Sequence, residues 1–485
     1  MSVPRCMSTQ HPDNAAVPFF ASSSVLAGED EIREAFYAYS HLGCDEQMWD
    51  MEGKEIDLYV VRKLLARYGS FFRERVLGED LRLTLRVPNP TFERTEGKVL
   101  LESLESIPRS ADAARAFYGR DVAPIFQVIL PMTTSSRALD RVYRYYAEHI
   151  VARQHTRFSD DDITIAEWFG DFHPPRIDVI PLFEDVPSML RAHRILARYL
   201  ADKEVRDQRV FLARSDTAMN YGSVSAALAN KIALARLGDL AERLGLRLHP
   251  ILGRGSAPFR GGLTPSSAER VGREYPSVVT FTIQSSFKFD HPADEVRAAC
   301  QHLRTRPIGP PQPVDARRAL EVMKRATTAY RRHVVELAPL IDAAARFAPR
   351  RRARKLHIGL FGYAREVGGV RLPRAISFTC ALYSLGLPPE LIGLDALSAE
   401  DLAFVRETYP SFDAEIHAAL RFADLDAPFV PASLRTALSR AGLEASADPG
   451  HRAIGRRIRE ALDRSDASRL ADLVAQAAHL RRFVG

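Results

Sequence analysis

The strongest constraint on the fold of this chain is the alternation of short apolar runs with longer amphipathic segments. The apolar runs span 38–44 (the weakest), 81–87, 125–131, 177–183, 209–213, 246–252, 278–284 and 356–361. The amphipathic segments include 54–68, 137–152, 188–202, 222–244 and 315–346. Several apolar runs are apolar on both faces, as in parallel strands that helices cover. Eight strands separated by helices predict an α/β fold, a single (β/α)₈ TIM-type barrel with additional helices.

The organisation of the chain indicates one domain. No repeat or low-complexity linker divides it, and residues 376–485 read as one helix after another with no clear strand. We therefore expect a single domain over 1–485, with a barrel core at roughly 35–375 and a helical C-terminal region at 376–485 that wraps around it.

Composition excludes several classes of protein. The 485 residues are 46% hydrophobic and 26% charged, which is typical of a globular protein with a sizeable core. No run of 18 apolar residues and no apolar N-terminal segment are present, so we expect no membrane span and no signal peptide. The net charge of +6 is too dispersed for a nucleic-acid footprint. Four widely spaced cysteines argue against structural zinc and disulfides, and predict a cytoplasmic protein.

Charged residues follow the predicted strands, at the end where barrel enzymes carry their active sites. The basic ones are Arg86, Arg214, Arg254, Arg260 and Arg365, and the acidic ones are Glu184, Asp185, Asp216 and Glu366. Arginines bind anions and carboxylates bind cations. This pattern predicts a site for a phosphorylated acid together with a divalent metal.

Glu184 and Asp216 are the candidate metal ligands. Each follows an apolar strand, so both are expected to face one pocket. Two carboxylates suit Mg²⁺, which keeps much of its hydration shell. The alternative interpretation is that each acid only caps the start of a helix.

The segment 253–262, GRGSAPFRGG, is the most informative local run. Its glycines would let the backbone approach a ligand, and Arg254 and Arg260 would add bidentate donors. The segment matches neither a Walker loop nor a G-x-G-x-x-G fingerprint. A plain flexible loop is the alternative.

Two further features permit both a functional and a structural interpretation, and a third has a structural one. His11, in a polar stretch near the start of the chain, is a candidate general base or an incidental histidine. The basic run 349–355 is either a solvated segment or a site for an anionic effector. The acidic segment 45–57 around Trp49 is interpreted as the start of a helix.

Several motifs together resemble the archaeal-type phosphoenolpyruvate carboxylases, the short branch of that family. They are PRCMSTQHPDN (4–14), GCDEQMWDMEGKEID (43–57), LRVPNP (85–90), ILPMTTS (129–135), PLFED (181–185), ARSDTAMNYG (213–222), LGRGSAPFRGG (252–262) and LPRAISF (372–378). The resemblance covers positions 4 to about 395. The last ninety residues or so match no motif.

The resemblance implies a role for each candidate residue. His11 takes the place of the catalytic histidine, and Glu184 and Asp216 that of the metal carboxylates. Arg254 and Arg260 match the catalytic glycine–arginine loop. Arg254, Arg365 and Arg374 are implied to bind the phosphate of the substrate. Arg86, through a less specific match, is implied to be another substrate-binding arginine of the active site.

The implied reaction joins phosphoenolpyruvate and bicarbonate without biotin to give oxaloacetate and phosphate, through carboxyphosphate and an enolate on the metal. This reaction replenishes four-carbon dicarboxylic acids. The resemblance also implies Mg²⁺, with Mn²⁺ as the alternative, and a homotetramer. Leu252 and Met219 stand where the long branch has histidine and lysine, so the allosteric site of that branch is not carried over. The alternatives are an enzyme that only hydrolyses phosphoenolpyruvate and an inactive binding subunit.

Overall fold

Eight parallel strands form a closed barrel in a computed structural model that describes residues 3–51, 57–94, 97–353, 366–367, 369–444 and 446–485. The strands are β1 (Cys6–Ser8), β2 (Glu46–Asp50), β3 (Arg82–Arg86), β4 (Gln127–Leu130), β5 (Asp178–Phe183), β6 (Asp207–Leu212), β7 (Arg247–Leu252) and β8 (Thr280–Ile283). Each strand pairs with the next along the chain, and β1 closes the barrel against β8, with Met7 opposite Thr282. The predicted TIM-type barrel is confirmed.

The first two strands were not predicted. The predicted strand at 38–44 is wrong, since its first three residues end the helix Glu29–Ser40 and the other four belong to no strand. Strand β1 has only three residues. The sequence of β2, EQMWD, does not read as an apolar run because three of its five residues are polar, and the prediction of a helix start around Trp49 is wrong because Trp49 lies within this strand. The barrel strands run from Cys6 to Ile283 instead of lying within 35–375, and 356–361 lies outside the described residues.

Helices surround the barrel. They are α1 (Glu29–Ser40), α2 (Val60–Arg67), α3 (Gly69–Glu74), α4 (Gly97–Tyr118), α5 (Ser136–Arg144), α6 (Ile165–Phe169), α7 (Val186–Leu190), α8 (Ala192–Leu200), α9 (Ser215–Tyr221), α10 (Ser223–Leu244), α11 (Ala268–Glu274), α12 (Ser285–Phe289), α13 (Ala293–Thr305), α14 (Ala316–Ala345), α15 (Ala375–Leu385), α16 (Ala399–Thr408), α17 (Phe412–Leu420), α18 (Ala432–Arg440), α19 (Pro449–Asp463) and α20 (Ala467–Arg481). A π-helical segment, Tyr145–Val151, extends α5. A short antiparallel pair, β9 (Glu366–Val367) and β10 (Val370–Arg371), precedes α15. The prediction of a helical region after residue 376 is confirmed.

The two-residue period of a strand decides which side chains enter the barrel. In β2, Met48 joins the apolar cluster inside the barrel, whereas its neighbour Trp49 points outward into the larger core between strands and helices. Glu46 and Asp50, two residues to either side of Met48, therefore share its inward face. β3 is in register with β2 and places Arg86 opposite Asp50.

The interior of the barrel is layered. Near the start of the strands, Arg209 forms a bidentate ion pair with Glu46, with N–O distances of 2.7 and 2.6 Å. An apolar layer lies above this ion pair, composed of Met7, Met48, Ile129, Ile180, Leu182, Phe211 and Ile251. The C-terminal ends of the strands follow, and their polar side chains form the mouth. The apolar layer separates the mouth from the buried ion pair.

Among the described helices, no single one is long and apolar enough to cross a membrane. The bent pair Ala375–Leu385 and Pro389–Ala396 meets the length and composition criterion only when both are counted together.

Candidate active site

His11 lies in the loop that follows β1, at the mouth of the barrel. Its Nδ1 is 2.8 Å from the Thr9 hydroxyl. The imidazole is partly exposed, whereas Thr9, Gln10 and Asp13 around it are buried. The loop is thus anchored by its neighbours and presents the His11 ring at the open end of the barrel.

Arg86 and Asp50 form a bidentate ion pair beside this loop. Arg86 Nε and Nη2 lie 3.0 and 2.8 Å from the two carboxylate oxygens of Asp50. The backbone N–H of Asp50 donates to Gln10 Oε1 at 2.9 Å, so the pair is connected to the residue that precedes His11. Arg86, Asp50 and His11 therefore belong to one side of the mouth.

Glu184 and Asp216 follow two neighbouring strands, β5 and β6. Glu184 directly follows β5 and is buried, and Asp216 lies in the first turn of α9, just after β6. The hydroxyl of Thr217, the neighbour of Asp216, donates to the backbone carbonyl of Glu184 at 2.9 Å and so links the two segments that carry the acids. The structure thus brings the two predicted metal ligands to one part of the mouth.

The Glu184 carboxylate is oriented by a strained residue. Met132, in the loop after β4, has a φ of 49°, a left-handed conformation that non-glycine residues rarely adopt. Its backbone N–H donates to Glu184 Oε2 at 2.6 Å. Strain of this kind is characteristic of sites whose geometry matters for function.

The two acids differ from Asp185, which lies beside Glu184. Asp185 is the N-cap of α7 and accepts a hydrogen bond from the Ser188 N–H at 2.8 Å. Neither Glu184 nor Asp216 is the N-cap residue of a described helix. The capping interpretation therefore fits Asp185 and not the candidate ligands.

The donor set at Glu184 and Asp216 fits a hard divalent cation. Two carboxylates supply oxygen ligands, and no group of three acidic, histidine or cysteine side chains suited to a metal occurs among the described residues. Mg²⁺ needs only one or two protein carboxylates because water and substrate oxygens complete its coordination. A zinc site would require three or four protein ligands.

The segment 253–262 is a closed, buried loop, and its interpretation as a flexible loop is wrong. All ten residues are buried. The Gly255 N–H donates to the Arg260 carbonyl at 2.8 Å, and the Leu263 N–H donates back to the Gly255 carbonyl at 2.9 Å. These two bonds close the loop on itself.

The glycines of this loop make room for its own arginines. A Cβ on Gly255 would lie 2.9 Å from Arg260 Nη1, and one on Gly261 would lie 2.8 Å from Arg254 Nε. Gly261 also has a φ of 117°, which favours glycine. The space that the sequence suggested for a ligand is thus filled at these two positions by arginine side chains.

Arg254 is held by the C-terminal helical region. Its Nη2 lies 2.7 Å from Glu415 Oε1 on α17, and its guanidinium also donates to the Gly261 carbonyl. Burial opposes the charge on Arg254, but Tyr275 and Glu415 outweigh it and keep the pKa of Arg254 above the usual value of arginine. Arg254 is therefore a fixed, fully buried cation.

Arg260 joins four parts of the chain. Its guanidinium donates to Asp13 at 2.9 Å, to Gln284 at 2.6 Å, to Ser215 at 3.1 Å and to the Gly485 carbonyl at 2.7 Å. It is 1% exposed. Arg260 thus fixes the loops after β1, β6 and β8 relative to one another.

Arg374 lies at the start of α15, directly before its first residue, and is partly exposed. This helix packs against α9, which carries Asp216. Ring contacts between Phe378 of α15 and Phe259, 5.8 Å apart, connect the same helix to the glycine–arginine loop. Arg365 lies outside the described residues.

The basic run 349–355 is partly structural, and its interpretation as a solvated segment is wrong for two residues. Arg352 is buried and lies 2.7 Å from both Glu31 and Glu34 of α1. Arg351 donates to the carbonyls of Asn14 and Ala15 at 3.1 and 2.7 Å. These arginines hold α1 and the loop after His11.

Sequence reasoning missed the acidic residues that support the site. Glu415 pairs with Arg254, and Glu390 accepts hydrogen bonds from Tyr383 at 2.6 Å and from the Phe259 N–H. Burial raises the pKa of Glu390 to about 7. No local motif marks these two acids, whereas Asp13, the partner of Arg260, stands inside the quoted segment 4–14.

Comparisons with known proteins match one family along most or all of this chain. A family model described as phosphoenolpyruvate carboxylase matches residues 3–485. The phosphoenolpyruvate carboxylase of Methanothermobacter thermautotrophicus is 53% identical over 485 residues, which cover 100% of both chains. That of Methanospirillum hungatei is 50% identical with the same coverage, and that of Pyrococcus abyssi is 51% identical over 87% of this chain and 88% of its own. The chain belongs to the phosphoenolpyruvate carboxylase family.

Proposed function

We propose that this protein carboxylates phosphoenolpyruvate with bicarbonate, giving oxaloacetate and inorganic phosphate and thereby replenishing four-carbon acids. Family membership over the whole chain supports the reaction. The single structural observation that carries the proposal is the position of Glu184 and Asp216 after the paired strands β5 and β6, where the Thr217 hydroxyl donates to the Glu184 backbone carbonyl. This mouth also holds His11 and the Arg86–Asp50 pair.

Family membership indicates a divalent cation, and we propose Mg²⁺ held by Glu184 and Asp216. When bound, the cation would supply Lewis-acid stabilisation of negative charge on the substrate. The N–H of Met132 would keep the Glu184 carboxylate in the orientation that ligation needs. Mn²⁺ remains the alternative ion.

The remaining residues bind the anionic substrate and move the proton. Arg86, aligned by Asp50, presents a planar cation at the mouth, and Arg374 adds charge from the start of α15. Arg254, and Arg365 upstream of the LPRAISF motif, would stabilise charge on the phosphoryl oxygens. Arg260 would hold the three loops in the arrangement that catalysis needs.

His11 is the proposed general base. Its contact with the Thr9 hydroxyl fixes one ring nitrogen and leaves the imidazole at the open end of the barrel. A neutral imidazole accepts a proton efficiently near pH 7. We propose that it takes the proton of carboxyphosphate as this breaks down to CO₂ and phosphate, after which the enolate attacks CO₂.

A coupled assay tests the proposal directly. Purified protein, phosphoenolpyruvate, Mg²⁺ and bicarbonate are combined, and oxaloacetate is measured through malate dehydrogenase and NADH. NADH loss that requires both bicarbonate and metal is expected, and EDTA should abolish it. Phosphate release without oxaloacetate would indicate hydrolysis instead, and the absence of both products would support a binding role.

Two further predictions accompany this function. We expect a homotetramer, which sedimentation at micromolar concentration would test, and a cytoplasmic protein. The same assay with Mn²⁺ in place of Mg²⁺ would establish the preferred ion.

A further inference from the structure

The loop that carries His11 is held from outside the barrel by the segment that follows β8. Ser286 of α12 donates its N–H to Asp13 Oδ1 at 2.7 Å. Lys288 of the same helix donates to the Thr9 carbonyl at 2.9 Å. The last contact of this segment is Asp290, directly after α12, whose carboxylate accepts hydrogen bonds from two consecutive backbone groups of the loop.

Asp290 makes these contacts with both oxygens. Oδ2 accepts from the Ala15 N–H at 2.8 Å, and Oδ1 accepts from the Ala16 N–H at 2.6 Å. Arg351 donates to the carbonyls of Asn14 and Ala15. The peptide groups that follow His11 are therefore clamped through their donors by Asp290 and through their acceptors by Arg351.

We propose that Asp290 is a positioning residue for His11, whose ionised carboxylate fixes the loop so that the imidazole is aimed into the barrel mouth. The inference rests on the proposed function, because it gives Asp290 a role only if His11 is the base. Asp290 contacts neither His11 nor the predicted metal ligands in the described contacts, so its effect passes through the backbone of residues 13–16.

The ionised form is required by simple hydrogen-bond chemistry. A carboxylate accepts at both oxygens, whereas a protonated carboxyl has one hydroxyl that donates and therefore opposes a backbone N–H. The groups that face Asp290 are Asp13, Arg351, Ser286 and the two N–H donors. Burial, with a smaller contribution from the charge of Asp13, outweighs the two N–H donors and raises the pKa of Asp290 to about 7. Ionisation of Asp290 therefore strengthens the clamp on the loop as the pH rises.

The experiment compares Asp290→Asn with a matched control at the other end of β1. Asp45 accepts hydrogen bonds from the backbone N–H groups of Arg5 and Cys6, at 3.0 and 2.8 Å, and burial raises its pKa as well. Asp45→Asn therefore removes the same chemistry at the start of β1, at the opposite end of the strand from the loop that carries His11. Full-length protein is used for both variants, with His11→Asn as the reference for loss of the base.

Two measurements are made on each variant. The first is the determination of kcat and of KM for phosphoenolpyruvate, each separately, in the coupled assay. The second is the imidazole NMR signal of His11 in histidine-labelled protein, assigned by its absence in His11→Asn. Asp290→Asn should lower kcat by on the order of tenfold to a hundredfold, as expected for a misplaced catalytic group, with little change in KM. It should also shift the His11 signal, and Asp45→Asn should do neither.

The other outcomes either overturn the inference about Asp290 or show that the assignment of His11 as the base is wrong. Wild-type kcat and an unshifted His11 signal in Asp290→Asn would overturn it, and so would an equal loss in Asp45→Asn. If His11→Asn itself keeps full carboxylation, the base assignment of the proposed function fails. In that case the His11 signal still decides whether Asp290 positions this side chain.

Discussion

Glu415 and Arg254 form a fully buried ion pair that joins the C-terminal helical region to the barrel. Arg254 Nη2 lies 2.7 Å from Glu415 Oε1, and Glu415 Oε2 lies 4.0 Å from Nη2 of Arg214, a second buried arginine. One carboxylate of α17 thus balances cations from the loops after β6 and β7. α17 therefore supplies the counter-ion of the glycine–arginine loop.

Glu415→Gln should destabilise the protein strongly. Breaking a buried ion pair by removing one partner leaves an uncompensated buried charge, which costs about 3–5 kcal/mol. Urea unfolding would measure the loss in the free energy of unfolding. Glu407→Gln, at an exposed position of α16, is the control and should stay within about 0.5 kcal/mol of the wild type. A loss as small as that of the control would contradict the role given to this pair.

Arg254→Lys should keep the charge and lose most of the carboxylation rate. A lysine ammonium cannot reproduce the planar fork that contacts both Glu415 and the Gly261 carbonyl. We expect kcat to fall on the order of a hundredfold, as for the loss of one group that stabilises transition-state charge. The coupled assay measures it, with Arg273→Lys, an exposed exchange on α11, as the control. A mild effect would argue against a direct role in phosphoryl transfer.

His11→Asn should separate substrate binding from carboxylation. Asparagine retains polarity but cannot accept the proton, so oxaloacetate formation should be lost while phosphoenolpyruvate binding is nearly intact. Binding is measured by calorimetry, and products by assays of oxaloacetate, phosphate and pyruvate. Unchanged carboxylation would remove His11 from the role of base.

Asp216→Asn should raise the Mg²⁺ concentration required for half-maximal activity. The amide is neutral and binds Mg²⁺ more weakly than a carboxylate does. Asp185→Asn is the matched control, because Asp185 follows the same strand as Glu184 but only caps α7. The control should leave the metal titration unchanged. An unaltered titration in Asp216→Asn would exclude this residue from the metal site.

The stability of the protein should fall in acid partly through Glu34. Burial opposes its ionisation, but Arg352 and Lys288, at 2.7 and 2.8 Å, outweigh this and hold the pKa of Glu34 at about 2, below its usual 4.5. A carboxyl whose pKa is lowered on folding stabilises the fold above its usual pKa, and this stabilisation is lost as the pH falls toward 2. The difference between the two pKa values corresponds to about 3 kcal/mol at pH 7.

Unfolding in urea between pH 7 and pH 3 measures this contribution. Glu34→Gln should be destabilised by about 3 kcal/mol at neutral pH, and its difference from the wild type should shrink as the pH decreases below 4.5. A difference that does not depend on pH would indicate lost packing instead of lost charge.

The sequence by itself determined six of the eight barrel strands and several of the helices around them. Six of the apolar runs became β3 to β8 because their side chains are buried on both faces. It also placed Glu184 and Asp216 at strand ends, where parallel strands in a barrel bring their following residues together. The motifs that surround them identified the family before any contact was known.

Only the tertiary structure decided how the first two strands and the arginines are used. β1 and β2 escaped prediction because one is three residues long and the other carries Glu46 and Asp50 inward, where they pair with Arg209 and Arg86. Whether an arginine faces a ligand or a carboxylate depends on partners such as Glu415, 161 positions from Arg254 along the chain. No local pattern encodes such a distant pairing, because it arises only when the helical region packs against the barrel.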